Sequence, residues 1–208
     1  MEGMKTILLL KSSLFSTQGQ SSRLAEAFVA SLAAQSPTRI AVRDLAAEPV
    51  PHLDAERFQA FVTPQAERSE RQKAIVAYSD ALIDELRGAD LVVIGLPMYN
   101  FGVPSQLKSW IDHVARAGET FRYTESGSVG LLRGKKAYVF AARGGRYAGT
   151  PADSQTAYLR AFLAFIGLTE VEFVYAEGLA LGEPGRTRAL DAARRQIERL
   201  ASRLPIAA

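Results

Sequence analysis

Cysteine is absent from all 208 residues, and that one absence removes disulfides, thiolate-ligated zinc, iron–sulfur clusters, thiol nucleophiles and dithiol redox chemistry together. Histidine is nearly absent. His52 and His113 are the only two, far apart and without the i, i+4 or HExxH spacing of a histidine metal site, so no metal is expected. Long apolar runs are also lacking. The run near the N-terminus, Ile7-Leu8-Leu9-Leu10, is too short for a signal h-region or a membrane span and follows Glu2 instead of a basic segment. A soluble cytoplasmic protein with no membrane partner is the expectation. Charge of one sign is scarce too, because 25 basic and 22 acidic residues are interspersed and leave only +3. No Lys/Arg block with interleaved aromatics marks a nucleic-acid face. If such a chain moves electrons, a bound organic cofactor has to carry them.

What is present is ordinary globular material, 48% hydrophobic and 23% charged, long enough for one well-buried core, so residues 1–208 read as a single domain. Apolar segments of strand length recur at Thr6–Leu10, Ile40–Val42, Leu91–Leu96, Ala137–Ala142 and Val171–Tyr175. Between them lie segments with helical periodicity at Arg23–Ala33, Arg71–Arg87, Ser105–Ala115, Ala157–Phe165 and Thr187–Leu204. Strands apolar on both faces that alternate with helices predict a three-layer α/β fold, a parallel sheet covered on both sides. Five strands suggest the flavodoxin-like order 2-1-3-4-5. Two regions break the alternation: the Pro-rich 49–63 and Phe121–Gly130, which reads as a short hairpin or flap.

That order places three loops together beyond the carboxyl ends of strands 1, 3 and 4. The first, Ser12–Ser22, is rich in hydroxyls and ends at a helix start, where unpaired N–H groups and the dipole favour a phosphate; Ser21 or Ser22 serves equally well there as a plain helix cap. It contains neither GxGxxG nor GxxxxGK[ST], so a monophosphate suits it better than a dinucleotide or a triphosphate. The second, Pro97–Pro104, offers the amide of Asn100 and the rings of Tyr99 and Phe101, a mixture suited to the pyrimidine edge of a flavin or, read alone, to an aromatic lid on the sheet. The third carries Arg143-Gly144-Gly145, either a tight turn or an anion-binding nest strengthened by its arginine.

The combination resembles a known family, the FMN-dependent NAD(P)H azoreductases of bacteria, also described as NAD(P)H:quinone oxidoreductases. The resemblance runs through Lys11-Ser12-Ser13, Arg43-Asp44-Leu45-Ala46, Met98-Tyr99-Asn100-Phe101, Ala115-Arg116-Ala117-Gly118, Thr120–Glu125, Arg143-Gly144-Gly145, Phe165-Ile166-Gly167 and Ala176-Glu177-Gly178. It implies a homodimer with FMN at the subunit interface, NADH or NADPH as hydride donor, and two-electron, ping-pong reduction of quinones and aromatic azo compounds. Carried over by position, it implies FMN binding by Ser13, Gly19, Gln20, Ser21, Met98, Tyr99, Asn100, Phe101, Ala142, Arg143, Gly144 and Gly145. The family often has Ser where this chain has Gly19 and Ala142. Phe101, Tyr123, Phe165 and Tyr175 are implied on the substrate side, some of them supplied by the partner subunit. No side chain is required as an acid or base of fixed identity. A flavodoxin-type electron carrier and a binding module without redox function are the rival readings.

Overall fold

The computed structural model describes residues 4–204. Its main sheet is built from β1 (Lys5–Lys11), β2 (Thr38–Asp44), β3 (Leu91–Pro97), β6 (Lys136–Ala142) and β7 (Glu170–Ala176), all parallel and ordered β2-β1-β3-β6-β7. With the separate hairpin β4 (Phe121–Thr124) and β5 (Gly127–Gly130) set aside, this is the expected order 2-1-3-4-5. Every residue of β3 is buried, as its place at the centre of the sheet requires.

Because side chains alternate across a strand, each face collects its own set. Ile7, Leu9, Val93, Tyr138, Phe140 and Val174 face α1 (Gln20–Ala33) and α6 (Glu183–Arg203), where they pack with Phe28 and Ile197. Leu8, Leu10, Val92, Ile94, Leu96 and Val139 face the other way and pack with residues of α3 (Glu70–Gly88), α4 (Ser105–Val114) and α5 (Ser154–Ile166), including Leu82, Trp110 and Phe162. The edge strand β2 departs from the expectation of strands buried on both faces: Ile40 and Val42 are 41% and 55% exposed.

The region 49–63 is not simply irregular. After its prolines, Asp54 accepts from the Arg57 N–H at 2.8 Å and starts α2 (Ala55–Val62), a sixth helix among the described residues. Ser69 and Gln72 form a reciprocal capping box at the start of α3, which fixes that helix where periodicity placed it. Phe121–Gly130 is the hairpin foreseen, closed by a two-residue turn between Thr124 and Gly127.

Candidate active site

Strands β1, β3 and β6 are neighbours, so the segments that leave their carboxyl ends meet. Ser12 ties the first to the second, donating to the Gly95 carbonyl from both its N–H (3.3 Å) and its Oγ (2.7 Å). The Tyr99 hydroxyl adds a second tie, 3.3 Å from Ser13 Oγ and 3.3 Å from the Leu14 N–H. Met98 N–H donates to the Ala142 carbonyl at 3.1 Å and joins the second segment to the third.

Helix α1 starts directly behind the first loop, with Gly19 at its N-cap and no side chain capping it. Ser21 and Ser22 are fully buried, and neither hydroxyl has a hydrogen-bond partner among the described residues. Of the two readings open for these serines, helix capping is therefore not the one the structure takes. Buried hydroxyls are nearly always paired, and leaving one unpaired costs about 1–3 kcal/mol. Two orphaned hydroxyls beside the free N–H groups of a helix start form a cradle that an oxyanion would complete. Close backbone packing fixes where that helix start lies: a Cβ on Gly95 would lie 3.0 Å from the Ser21 carbonyl oxygen, so α1 sits directly on β3.

The second loop is strained where the ring-binding residues were expected. Tyr99 and Gly102 exchange N–H···O bonds of 3.3 and 2.9 Å around Asn100 (φ 49°) and Phe101 (φ 59°), the two-residue turn with positive φ at both central positions. Asparagine tolerates that conformation; phenylalanine rarely does, at a cost of order 1–3 kcal/mol. The strain is held from α5. Ser154 Oγ donates to the Phe101 carbonyl, and Gln155 Nε2 donates to the carbonyls of Pro97 (2.8 Å) and Gly102 (2.9 Å). Phe101 itself is 58% exposed, edge-on to Tyr147 at 5.4 Å, and borders a cavity of about 480 Å³ lined also by His52, Val103, Lys108 and Tyr158.

At the third loop, the expectation that the Arg143 cation faces a ligand is corrected. Its buried guanidinium is committed to Asp153 (2.8 Å) and Glu177 (3.1 Å), with Thr156 and Gln155 at 3.3 and 3.2 Å and the Tyr175 ring beneath it at 5.1 Å. A buried cation takes its partners from inside the fold because leaving it unpaired costs far more than forgoing a ligand contact. Burial opposes the charge of Asp153, yet the bonds from Arg143 and Thr156 prevail and hold its carboxyl below the ordinary carboxylate range. What the loop leaves available is backbone: among the described residues, the N–H groups of Gly144 and Gly145 donate to no partner. Glu177 also accepts from the N–H groups of Tyr147 and Ala148 at 2.9 Å and so shapes the turn.

A second buried cation braces the first loop. Lys11 pairs with Glu26 (3.2 Å) and Asp44 (3.1 Å), and Asp44 also takes the Ser16 hydroxyl. Burial works against the Lys11 charge, but the two carboxylates hold its ammonium above the usual lysine value.

The aromatic residues expected on the substrate side fall into two groups. Phe101 and Tyr175 lie at the loops, although the Tyr175 hydroxyl is engaged with Thr156 Oγ1 at 2.9 Å. Phe165 stands at the other end of α5, about 16 Å along the helix from Ser154 at 1.5 Å per residue. There its ring meets Phe121 at 4.1 Å, and Phe121 meets the 74% exposed Tyr123 at 5.3 Å. One chain therefore does not bring all four together. His113, one of the two histidines, is 1% exposed, its Nδ1 3.0 Å from the Ser109 carbonyl and its ring edge-on to Phe61 and Tyr78.

Sequence reasoning missed Ser154, Gln155, Asp153, Glu177 and Tyr147. The Asp153–Ser154–Gln155 run at a helix start was the available signal, since such residues at that place serve either as caps or as ties to neighbouring loops.

Helices on both faces of a parallel 2-1-3-4-5 sheet, with the loops of its central strands converging at one end, define a flavodoxin-like protein. The family described as flavodoxin-like fold matches residues 5–201. The FMN-dependent NADH:quinone oxidoreductase of Alcanivorax borkumensis is 56% identical over 92% of this chain and 97% of its own length, and that of Cellvibrio japonicus 51% over 94% and 98%. Among solved structures, the FMN-dependent NADH-azoreductase of Bacillus anthracis in complex with FMN superposes with a TM-score of 0.87 at 29% identity, covering 97% of this chain and 99% of that one. The chain belongs to the flavodoxin-like fold family and, within it, to the FMN-dependent NADH:quinone oxidoreductases and azoreductases.

Proposed function

We propose that this protein is a cytoplasmic, homodimeric enzyme that binds FMN at the carboxyl end of its sheet and passes two electrons from NADH to quinones and aromatic azo compounds. The observation that carries the reading is the pair of buried hydroxyls of Ser21 and Ser22, partnerless among the described residues, at an uncapped helix start, beside the strained Asn100–Phe101 turn. The phosphate would be held by the first-turn N–H groups of Gln20, Ser21 and Ser22 with the hydroxyls of Ser21, Ser22 and Ser13. The planar ring would meet Met98, Tyr99, Asn100 and Phe101, and its electron-rich edge the free N–H groups of Gly144 and Gly145. When bound, FMN supplies hydride acceptance from the nicotinamide cofactor and electron delivery to the acceptor.

The chain's own residues bind, orient and exclude water. Phe101 gives a flat apolar wall beside the 480 Å³ cavity, against which donor and acceptor, both flat, take turns in one slot. Fixed backbone donors at Gly144 and Gly145 favour negative charge on that side of the ring, because preorganised dipoles stabilise developing charge without reorganising. In the proposed dimer, Tyr123 and Phe165 of one subunit complete the slot over the loops of the other, which accounts for their distance from those loops within one chain. The names and full-length similarity of the relatives support the choice of FMN and NADH.

The experiment is reconstitution with FMN followed by steady-state oxidation of NADH with benzoquinone. Uptake of flavin absorbance in the blue and sustained turnover are expected. Flavin uptake without NADH oxidation would leave an electron carrier, and a protein that stays colourless would leave a binding module.

A further inference from the structure

Gln155 lies on the first turn of α5, is fully buried, and uses both ends of its amide. Its Nε2 donates to the carbonyls of Pro97 and Gly102, which bracket the Met98–Phe101 segment, while its Oε1 accepts from Arg143 Nε at 3.2 Å. One uncharged side chain thus binds both ends of the second loop and joins it to the arginine that begins the third. Glutamine suits the task because its amide carries donors and an acceptor on one planar group; glutamate keeps the acceptor and loses the donors, and leucine keeps only the volume.

Resting on the reading of FMN as the cofactor, we propose that Gln155 is a positioning residue for the flavin: it holds Asn100 and Phe101 in their left-handed conformation and keeps that turn in register with the Gly144–Gly145 turn. The remaining bonds on the turn's backbone are the Tyr99–Gly102 pair and the Ser154 hydroxyl on the Phe101 carbonyl. Without the Gln155 donors, the Pro97 and Gly102 carbonyls lose a buried partner, and a phenylalanine at φ 59° has every reason to relax to negative φ. The turn then no longer presents Asn100 and its backbone where the ring is received.

The test uses Q155L and Q155E beside the wild type, each prepared without flavin and titrated with FMN by fluorescence quenching, with the visible spectrum of the bound flavin and the apoprotein Tm recorded. Both variants are expected to bind FMN about tenfold or more weakly, a change of about 1.4 kcal/mol, and to shift the shape of the bound-flavin absorption band. Q155E is expected to fare no better than Q155L although it keeps an acceptor for Arg143. L163A, which opens a cavity at a buried leucine on the same helix, supplies a control of lowered Tm with unchanged FMN affinity in the folded protein. If Q155L does not fold, Q155E against L163A carries the comparison. Wild-type affinity and spectrum in either variant, or recovery in Q155E alone, overturns the proposal. A wild type that takes up no FMN overturns the functional reading and this proposal with it.

Discussion

The point where a Cβ on Gly19 would sit is 2.1 Å from Ser13 Oγ and 2.5 Å from Ser13 Cβ. Gly19 has an ordinary φ of −65°, so it is space and not backbone conformation that asks for glycine at this N-cap. An alanine must push the Ser13 side chain aside or tilt the start of α1, and both lie in the proposed phosphate cradle. G19A is expected to weaken FMN binding by about tenfold, or about 1.4 kcal/mol, and S13A/G19A to recover none of the loss in FMN titrations, because an alanine at 13 keeps the Cβ that lies 2.5 Å from the new one and gives up the hydroxyl proposed for the phosphate.

Ser22 leads to a prediction with opposite signs for the free and the loaded protein. Its buried hydroxyl has no partner among the described residues, so S22A removes an unsatisfied group and is expected to stabilise the apoprotein by about 1 kcal/mol. That corresponds to about 2–4 °C in Tm for a chain of this size. The same change deletes a proposed donor to the phosphate and is expected to weaken FMN binding. Melting curves with and without FMN check it: the variant should melt above the wild type when free and gain less on addition of the cofactor.

Arg143 is held by Asp153 and Glu177 inside the protein, so removing it strands two carboxylates. R143A is expected to cost about 3–5 kcal/mol in denaturant unfolding. R143K should restore little, because a single ammonium cannot serve partners arranged around a planar fork. The pH dependence has a definite sign. Asp153 is held below its ordinary value of 3.8, so its contribution is complete above that value and is lost as pH falls from there through the folded value. Lys11 is held above 10.5, and its contribution is complete below that value and is lost as pH rises beyond it. Acid unfolding of D153N should begin from a lower stability and fall less steeply below pH 3.8, while the alkaline limb stays as in the wild type.

Strand order and the meeting of three loops were legible because Leu91–Leu96, Ile7–Leu10 and Ala137–Ala142, the central strands, are apolar runs of strand length. Helix α2 was hidden because Pro49 and Pro51 dominate its approach, although Asp54 three residues before Arg57 was a readable cap. Arg143 was misjudged for a deeper reason. Beside Gly144-Gly145 it looks like part of an anion nest, whereas the acids that claim it stand 10 and 34 positions away. Gln155 carries no periodic signal either, since its Nε2 donates to backbone carbonyls 58 and 53 positions back, and a backbone carbonyl has no residue type to read. Pattern reveals surfaces that must be covered; it does not reveal which buried polar group answers which.

Tyr123 and Asn100 give the sharpest test of a shared site. They belong to separate parts of one chain, the hairpin and the carboxyl-end turn, yet both are proposed to serve one flavin. If the hairpin of one subunit covers the loops of the other, Y123A is expected to lower NADH:quinone turnover by about tenfold, or about 1.4 kcal/mol in transition-state terms, with little change in FMN affinity. N100A is expected to lower both. In a dimer that mixes the two variants, one site carries both changes and the other carries neither. Remixing equal amounts of the two after reversible dissociation should therefore bring activity back toward about a quarter of the wild type, because about half of the dimers are mixed and each has one intact site. Activity that stays at the level of the separate variants after verified subunit exchange would place Tyr123 on the same subunit's site or outside it, and the shared-site dimer would have to be given up.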